Sequence, residues 1–436
     1  MKIGFVSLGC SKNLVDSERV MGLLKANGHQ ITARPEEAEA IFINTCGFID
    51  PAKEEGINTI LEMAEYKSDK CKKLIVLGCL AQRYKKDLEQ ELPEVDRFIG
   101  VAEYSRLSEI LSEELGTEVI GSYGKMDRLL ATRPYTVYLK ISEGCSNRCT
   151  YCAIPLIRGN MISYPMEDLV SEAEKLAQNG VKELVLIAQD TTRYMEDQGA
   201  NRLSELLRKL DSIDGFVWIR ILYMYPDAVS DELLQTIQSS QKIIPYFDIP
   251  VQHADDAMLK KMNRHGSRSD IDAVIAKIRK VLPDAILRTT MIVGFPGETE
   301  KQFQTLLDFT QQAKFDRLGA FTYSPEEDTP AYLMDDQVAE SIKQDRLRKL
   351  MELQATIAQE KGESWIGRTI EVLVERRDAK TYSYHGRSVH SAPDNIDGEV
   401  RFTSQRLLRS GTFVKVQVTS AQGHDLTGIE VIDLTA

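Results

Sequence analysis

Three cysteines fall within eight residues in Gly144-Cys145-Ser146-Asn147-Arg148-Cys149-Thr150-Tyr151-Cys152, spaced Cys-x3-Cys-x2-Cys. Three thiolates on one short loop can converge on a soft metal or an iron–sulfur cluster. Zinc normally takes a fourth protein ligand, and no Cys or His follows at finger-like spacing. Merely buried thiols are not expected to gather on a loop carrying Gly144 and Asn147, so the pattern favours a cluster. A four-iron cluster held by three cysteines leaves one iron open to a ligand from outside the chain.

Cys10, Cys46 and Cys79 are far apart in sequence, yet each directly follows an expected parallel strand: Ser7-Leu8-Gly9-Cys10, Ile43-Asn44-Thr45-Cys46 and Leu77-Gly78-Cys79. In a doubly wound sheet the carboxyl ends of the strands meet at one crevice, where ligands bind. Three thiols there would form a second open cluster site; the alternative is that they pack as small apolar side chains. Cys71, the one cysteine of the seven outside these two sets, reads as an uninvolved surface thiol.

The elements that must position these residues read as an α/β chain in three parts. Strand runs at Lys2–Ser7, Glu39–Asn44, Lys73–Gly78 and Phe98–Ile99 alternate with helical patterns at Ser17–Asn27 and Ala52–Tyr66, which predicts a doubly wound parallel sheet. Residues 1–125 form this unit, and Gly121–Pro134 reads as a linker. Six further strands are expected at Tyr135–Ile141, Glu183–Gln189, Val217–Leu222, Tyr246–Val251, Ala285–Val293 and Asp316–Tyr323. They imply a partial (β/α)6 barrel over 134–336, with its chemistry at the carboxyl ends of the strands. A helix over 337–361 leads to a small antiparallel β-barrel over 362–436.

The 436 residues carry 54 Lys and Arg against 66 Asp and Glu, a net charge of −12. That balance argues against a nucleic-acid coat and predicts no DNA partner. No apolar run has membrane-spanning length, and the odd cysteine count without a secretion signal argues against a disulfide framework. A cytoplasmic protein is expected.

The Cys145/Cys149/Cys152 motif at the end of the first barrel strand resembles the radical S-adenosylmethionine enzymes. The resemblance implies that the open iron binds the methionine part of the cofactor and that an electron from the cluster releases a 5′-deoxyadenosyl radical. It also suggests cofactor contacts at Gln189 and Asp190 after the second strand, Arg220 on the third, Gln252 and His253 after the fourth, and Gly294 after the fifth. With Cys10, Cys46 and Cys79 added, the domain order is similar to that of the methylthiotransferases of this superfamily, whose tail resembles a TRAM domain.

Within that family Gly9-Cys10-Ser11-Lys12-Asn13-Leu14-Val15-Asp16-Ser17-Glu18, Asn44-Thr45-Cys46-Gly47-Phe48-Ile49 and Asp248-Ile249-Pro250-Val251-Gln252-His253-Ala254 resemble the ribosomal-protein-modifying RimO branch. The sequence departs from the family pattern at Met195, where a glycine is expected, and at Val389-His390-Ser391. The resemblance implies two 4Fe-4S clusters, S-adenosylmethionine as methyl donor and radical source, and methylthiolation of the β-carbon of an aspartate in small ribosomal subunit protein twelve. It further implies an electron donor such as flavodoxin or ferredoxin, and a sulfur source. The tail, with nine Lys and Arg against ten acids including Asp394, Asp397 and Glu399, suits a basic protein partner better than RNA, although Arg401, Arg406 and Arg409 could form a basic stripe. The rival readings are a tRNA adenosine methylthiotransferase and a non-enzymatic iron–sulfur carrier, which would normally complete each cluster with four cysteines.

Overall fold

The computed structural model describes residues 1–394 and 396–432. The first five strands, β1 (Lys2–Ser7), β2 (Gln30–Thr32), β3 (Ala40–Thr45), β4 (Lys73–Gly78) and β5 (Arg97–Gly100), form one parallel sheet in the order β2-β1-β3-β4-β5. β3 is buried at every residue, as a central strand with helices on both faces must be. The strand order reverses between β1 and β3, which opens the crevice at their carboxyl ends. The first helix begins at Ser11, immediately after Cys10, six residues before the expected start; polar Lys12, Asn13 and Asp16 hide its opening turns from pattern reading because all three are buried by tertiary contacts.

The second unit has six parallel strands, Thr136–Lys140, Glu183–Ile187, Trp218–Ile221, Tyr246–Asp248, Ile286–Val293 and Arg317–Thr322. They follow chain order, a bridge from Ile219 to Ile243 joining the third to the fourth. The first and last do not pair, so the barrel is open. The helix Met166–Gln178 turns Met166, Leu169, Ala173 and Leu176 onto the strands at helical spacing. Segment 121–134 is no free linker: Leu129 and Ala131 donate backbone N–H groups to Glu18, pinning it to the first helix.

The sheet unit spans the opening. On the first-strand side, Lys140 is fully buried between Asp16 and Glu143. Beyond the last strand, Glu326 takes Arg83 at 2.9 Å and Lys53 at 3.1 Å, both from the sheet unit. Glu340–Glu363 is the long connecting helix, and the tail closes as a five-stranded barrel of Thr369–Arg377, Tyr384–Arg387, Val400–Thr403, Phe413–Gln422 and Asp425–Glu430. Closure needs one parallel pair, Val400–Thr403 beside the last strand, where an all-antiparallel barrel was expected. Leu373 and Ala392 of the tail pack with Tyr138, Val185, Trp218 and Tyr246, so the tail enters the concave side of the open barrel. No helix among the described residues is long and apolar enough to cross a membrane.

Candidate iron–sulfur and cofactor site

Gly9 has φ +88°, and a Cβ there would lie 2.8 Å from Cys46 Cβ, so the Cys10 and Cys46 loops touch. A Cβ on Gly47 would lie 2.8 Å from Leu80 Cα and 2.9 Å from the Cys79 carbonyl carbon, so the Cys46 loop also touches the start of the helix Cys79–Glu91. Cys79 consequently lies within electrostatic range of both Cys10 and Cys46. Asn13 stitches the three loops together. Its Nδ2 donates to Leu8 O at 3.3 Å and Thr45 O at 3.0 Å, while its Oδ1 lies 3.4 Å from Cys79 Sγ.

The second set sits on one loop held from several sides. Cys145 N donates to Gly159 O, and Thr150 N to Met262 O. Asn263 Nδ2 donates to Arg148 O at 2.9 Å, and Asn147 Nδ2 to Asp190 at 2.8 Å. Cys149 Sγ lies 3.8 Å from the Tyr225 hydroxyl and receives Arg264 Nη1 at 3.7 Å.

Burial raises the Cys46 and Cys145 thiols above their ordinary range and pushes Cys79 and Cys152 up to about 12. The bare chain therefore holds these groups as neutral thiols, and a bound cationic metal is what makes them thiolates. Among the described residues no three His, Cys, Asp or Glu side chains close on a point for a single metal ion. A cluster presents separate irons to separate cysteines, and the soft, three-thiol donor sets suit it.

The other expected residues separate into two groups. Asp190 is buried beside the cysteine loop, holding Thr192 N at 3.0 Å as well as Asn147, and burial raises its carboxyl above the usual range. The Oε1 atoms of Gln189 and Gln252, both following barrel strands, are buried with no protein partner. Orphaned acceptors at a strand-end mouth fit a ligand that brings N–H or O–H groups, as the cofactor does. His253, by contrast, is spoken for: Nδ1 accepts from Asp255 N at 3.0 Å and Nε2 faces Glu298 Oε1 at 3.3 Å. Glu298 also accepts from Gly294 N and from Arg346 Nη1, so His253 and Gly294 belong to one buttressed turn.

Arg220 lies elsewhere. Its Nε donates at 2.9 Å to Glu183, the first residue of the second barrel strand, and its Nη1 to Val389 O of the tail. The guanidinium thus faces the amino ends of the strands, away from the cysteine loop, because only there does a buried carboxylate meet it.

Three other expectations change. Cys71 is buried, with its thiol donating to Lys73 O. Asp394, Asp397 and Glu399 are consumed internally, by Tyr138, by Tyr246 and Arg288, and by Arg376, His385 and Arg401. Arg406 is held by Glu430 and Arg401 by Glu399, so two members of the suggested basic stripe are paired within the tail. Met195 does adopt φ +67°, the backbone that a glycine would take without strain.

Sequence reasoning passed over Asn13, Asn147, Arg158, Tyr225 and Arg264. Asn13 and Asn147 stood inside quoted motifs, but their partners are on other elements and no spacing rule connects them.

Comparison with known proteins agrees part by part. Residues 2–100 match the family described as uncharacterized protein family UPF0004, residues 139–310 the radical SAM superfamily, and residues 366–432 the TRAM domain. A ribosomal protein uS12 methylthiotransferase RimO from Acetivibrio thermocellus is 48% identical over 99% of this chain and 98% of its own length. The chain belongs to the RimO family. Members from Lachnoclostridium phytofermentans and Clostridioides difficile are 49% and 48% identical, spanning 98% and 100% of this chain and 99% and 100% of their own. Among solved structures, the radical S-adenosylmethionine methyltransferase TsrM from Kitasatospora setae superposes with a TM-score of 0.54, covering 76% of each chain. At 12% identity that likeness is one of fold. This RimO-family chain is a radical S-adenosylmethionine methylthiotransferase, an enzyme of 4Fe-4S clusters and S-adenosylmethionine.

Proposed function

We propose that the chain attaches a methylthio group to the β-carbon of an aspartate in ribosomal protein uS12. In this reading Cys145, Cys149 and Cys152 hold the cluster that meets S-adenosylmethionine, and Cys10, Cys46 and Cys79 hold a second cluster that carries the sulfur. The carrying observation is that one packed cluster reaches from the first cysteine set to the segment directly after the second. Cys79 lies in the same apolar cluster as Ala153 and Ile157, and Ala153 directly follows Cys152.

The target C–H bond is unactivated, so acid–base chemistry cannot reach it and radical abstraction is required. When bound, the clusters and cofactor supply the electron, the carbon radical and the methyl group. The chain's own residues prepare that chemistry. Asp190 and Asn147 fix the cysteine loop, Gln189 and Gln252 offer buried acceptors to the cofactor, and Tyr225 with Arg264 covers Cys149. Each set has one buried member, Cys79 and Cys149, while Cys10 is exposed. An external electron donor such as flavodoxin or ferredoxin, and a sulfur source, complete the cycle.

Anaerobic reconstitution followed by peptide mass spectrometry of uS12 tests this. One methylthio mass on an aspartate is expected, with about eight irons per chain. The same mass on tRNA nucleosides and none on uS12 would overturn the substrate assignment.

A further inference from the structure

Arg158 ends the short helix Ile154–Arg158, which starts two residues after Cys152, and it is nearly inaccessible. Its side chain leaves the barrel and enters the sheet unit. Nε donates to Cys79 Sγ at 3.4 Å, and Nη2 donates to Asp16 at 3.0 Å and to Asn13 Oδ1. Nη1 forks onto both oxygens of Glu143 at 2.8 and 2.9 Å. Glu143 stands two residues before Cys145, so Arg158 and Glu143 bracket the radical cysteine loop while one guanidinium edge touches a sulfur of the other set.

The surroundings lock this arrangement. Lys140 is fully buried and pairs with the same two carboxylates, Asp16 and Glu143. Two cations and two anions balance without any thiolate. The carboxylates of Glu143 and Asp16 take Nη1 and Nη2, which leaves the Nε–H for the sulfur. A fixed N–H aimed at a cluster ligand stabilises the reduced, more negative cluster and raises its potential.

We propose that Arg158 is a positioning residue reaching from the radical barrel to the Cys10/Cys46/Cys79 site. It holds that site against the Cys145/Cys149/Cys152 loop and raises its redox potential. The inference rests on the reading that Cys79 ligates a cluster.

The test uses the full chain carrying Cys145→Ala, Cys149→Ala and Cys152→Ala, so that one cluster signal remains, with iron counting and a potential titration followed by electron paramagnetic resonance. Arg158→Gln is expected to keep its iron and shift the midpoint negative. At the parent's midpoint the ratio of reduced to oxidised cluster should fall about tenfold, the worth of one hydrogen bond to a charged acceptor. Arg158→Lys, which keeps charge without the fork, should fall between. A parent with about four irons and variants titrating at its potential would refute the inference alone, whereas a parent without iron refutes the cluster reading and the inference together. Loss of iron from Arg158→Gln, with circular dichroism kept or lost, would make Arg158 a structural support without the inferred hold on the potential and overturn the inference.

Discussion

Glu183 is the first residue of the second barrel strand and is wholly buried. It accepts Arg220 Nε at 2.9 Å, Arg387 Nη2 at 2.6 Å and the Thr136 hydroxyl at 3.1 Å, joining the barrel to the tail strand Tyr384–Arg387. Burial alone would raise its carboxyl, yet Arg387 and Arg220 bring it down from 4.5 to about 2. At about 1.4 kcal/mol per pH unit, that depression stabilises the docked state by about 3 kcal/mol. Because the folded value is depressed, the stabilisation is complete above pH 4.5 and drains away as pH falls toward 2. Glu183→Gln keeps the shape, removes the charge and leaves Arg220 without its carboxylate. Amide hydrogen exchange in Tyr384–Arg387 reports undocking of the tail. About 3 kcal/mol corresponds to roughly a hundredfold loss of protection at pH 7. Protection within about threefold of the parent, or a defect that does not shrink below pH 4.5, would refute the view that this ion pair fastens the tail.

Gly47→Ala should push the Cys46 loop off the backbone of Cys79 and lower iron from about eight to about four per chain, with 5′-deoxyadenosine release retained; unchanged iron content would be contrary. Arg83→Met leaves Glu326 to Lys53 alone and should cost about 2 kcal/mol, read as faster exchange along the helix Cys79–Glu91. Burial, with Arg317, Arg220 and Arg368 nearby, pushes His390 down from 6.5 to about 3, and its ring lies 4.0 Å from Trp365. The unfolded chain takes up a proton that the folded chain refuses, so stability should fall by about 2 kcal/mol between pH 6.5 and 5. His390→Phe keeps a ring on Trp365 and should flatten that slope in denaturant titrations.

Local chemistry was legible without coordinates. The Cys-x3-Cys-x2-Cys loop carries three cysteines within eight residues, and Cys10, Cys46 and Cys79 each follow a strand whose apolar run announces it. Periodicity likewise exposed the helix Met166–Gln178, because its partners are apolar and one-sided. The start of the first helix escaped, since its buried face is polar and makes sense only once Asp16 meets Lys140 and Arg158. Composition could not place the tail's acids: Asp394 and Asp397 bond to Tyr138, Tyr246 and Arg288 within the chain.

Residue types, spacing and hydrophobic period thus determined by themselves the two groups of three cysteines, the parallel sheet and the barrel, because those signals lie within one element or at its end. Which side chains leave one domain to serve another was decided only by the tertiary structure. Arg220 turned toward Glu183 and the tail, and Arg158 toward Cys79, because a buried guanidinium goes where buried acceptors balance it, and those acceptors come from distant parts of the chain.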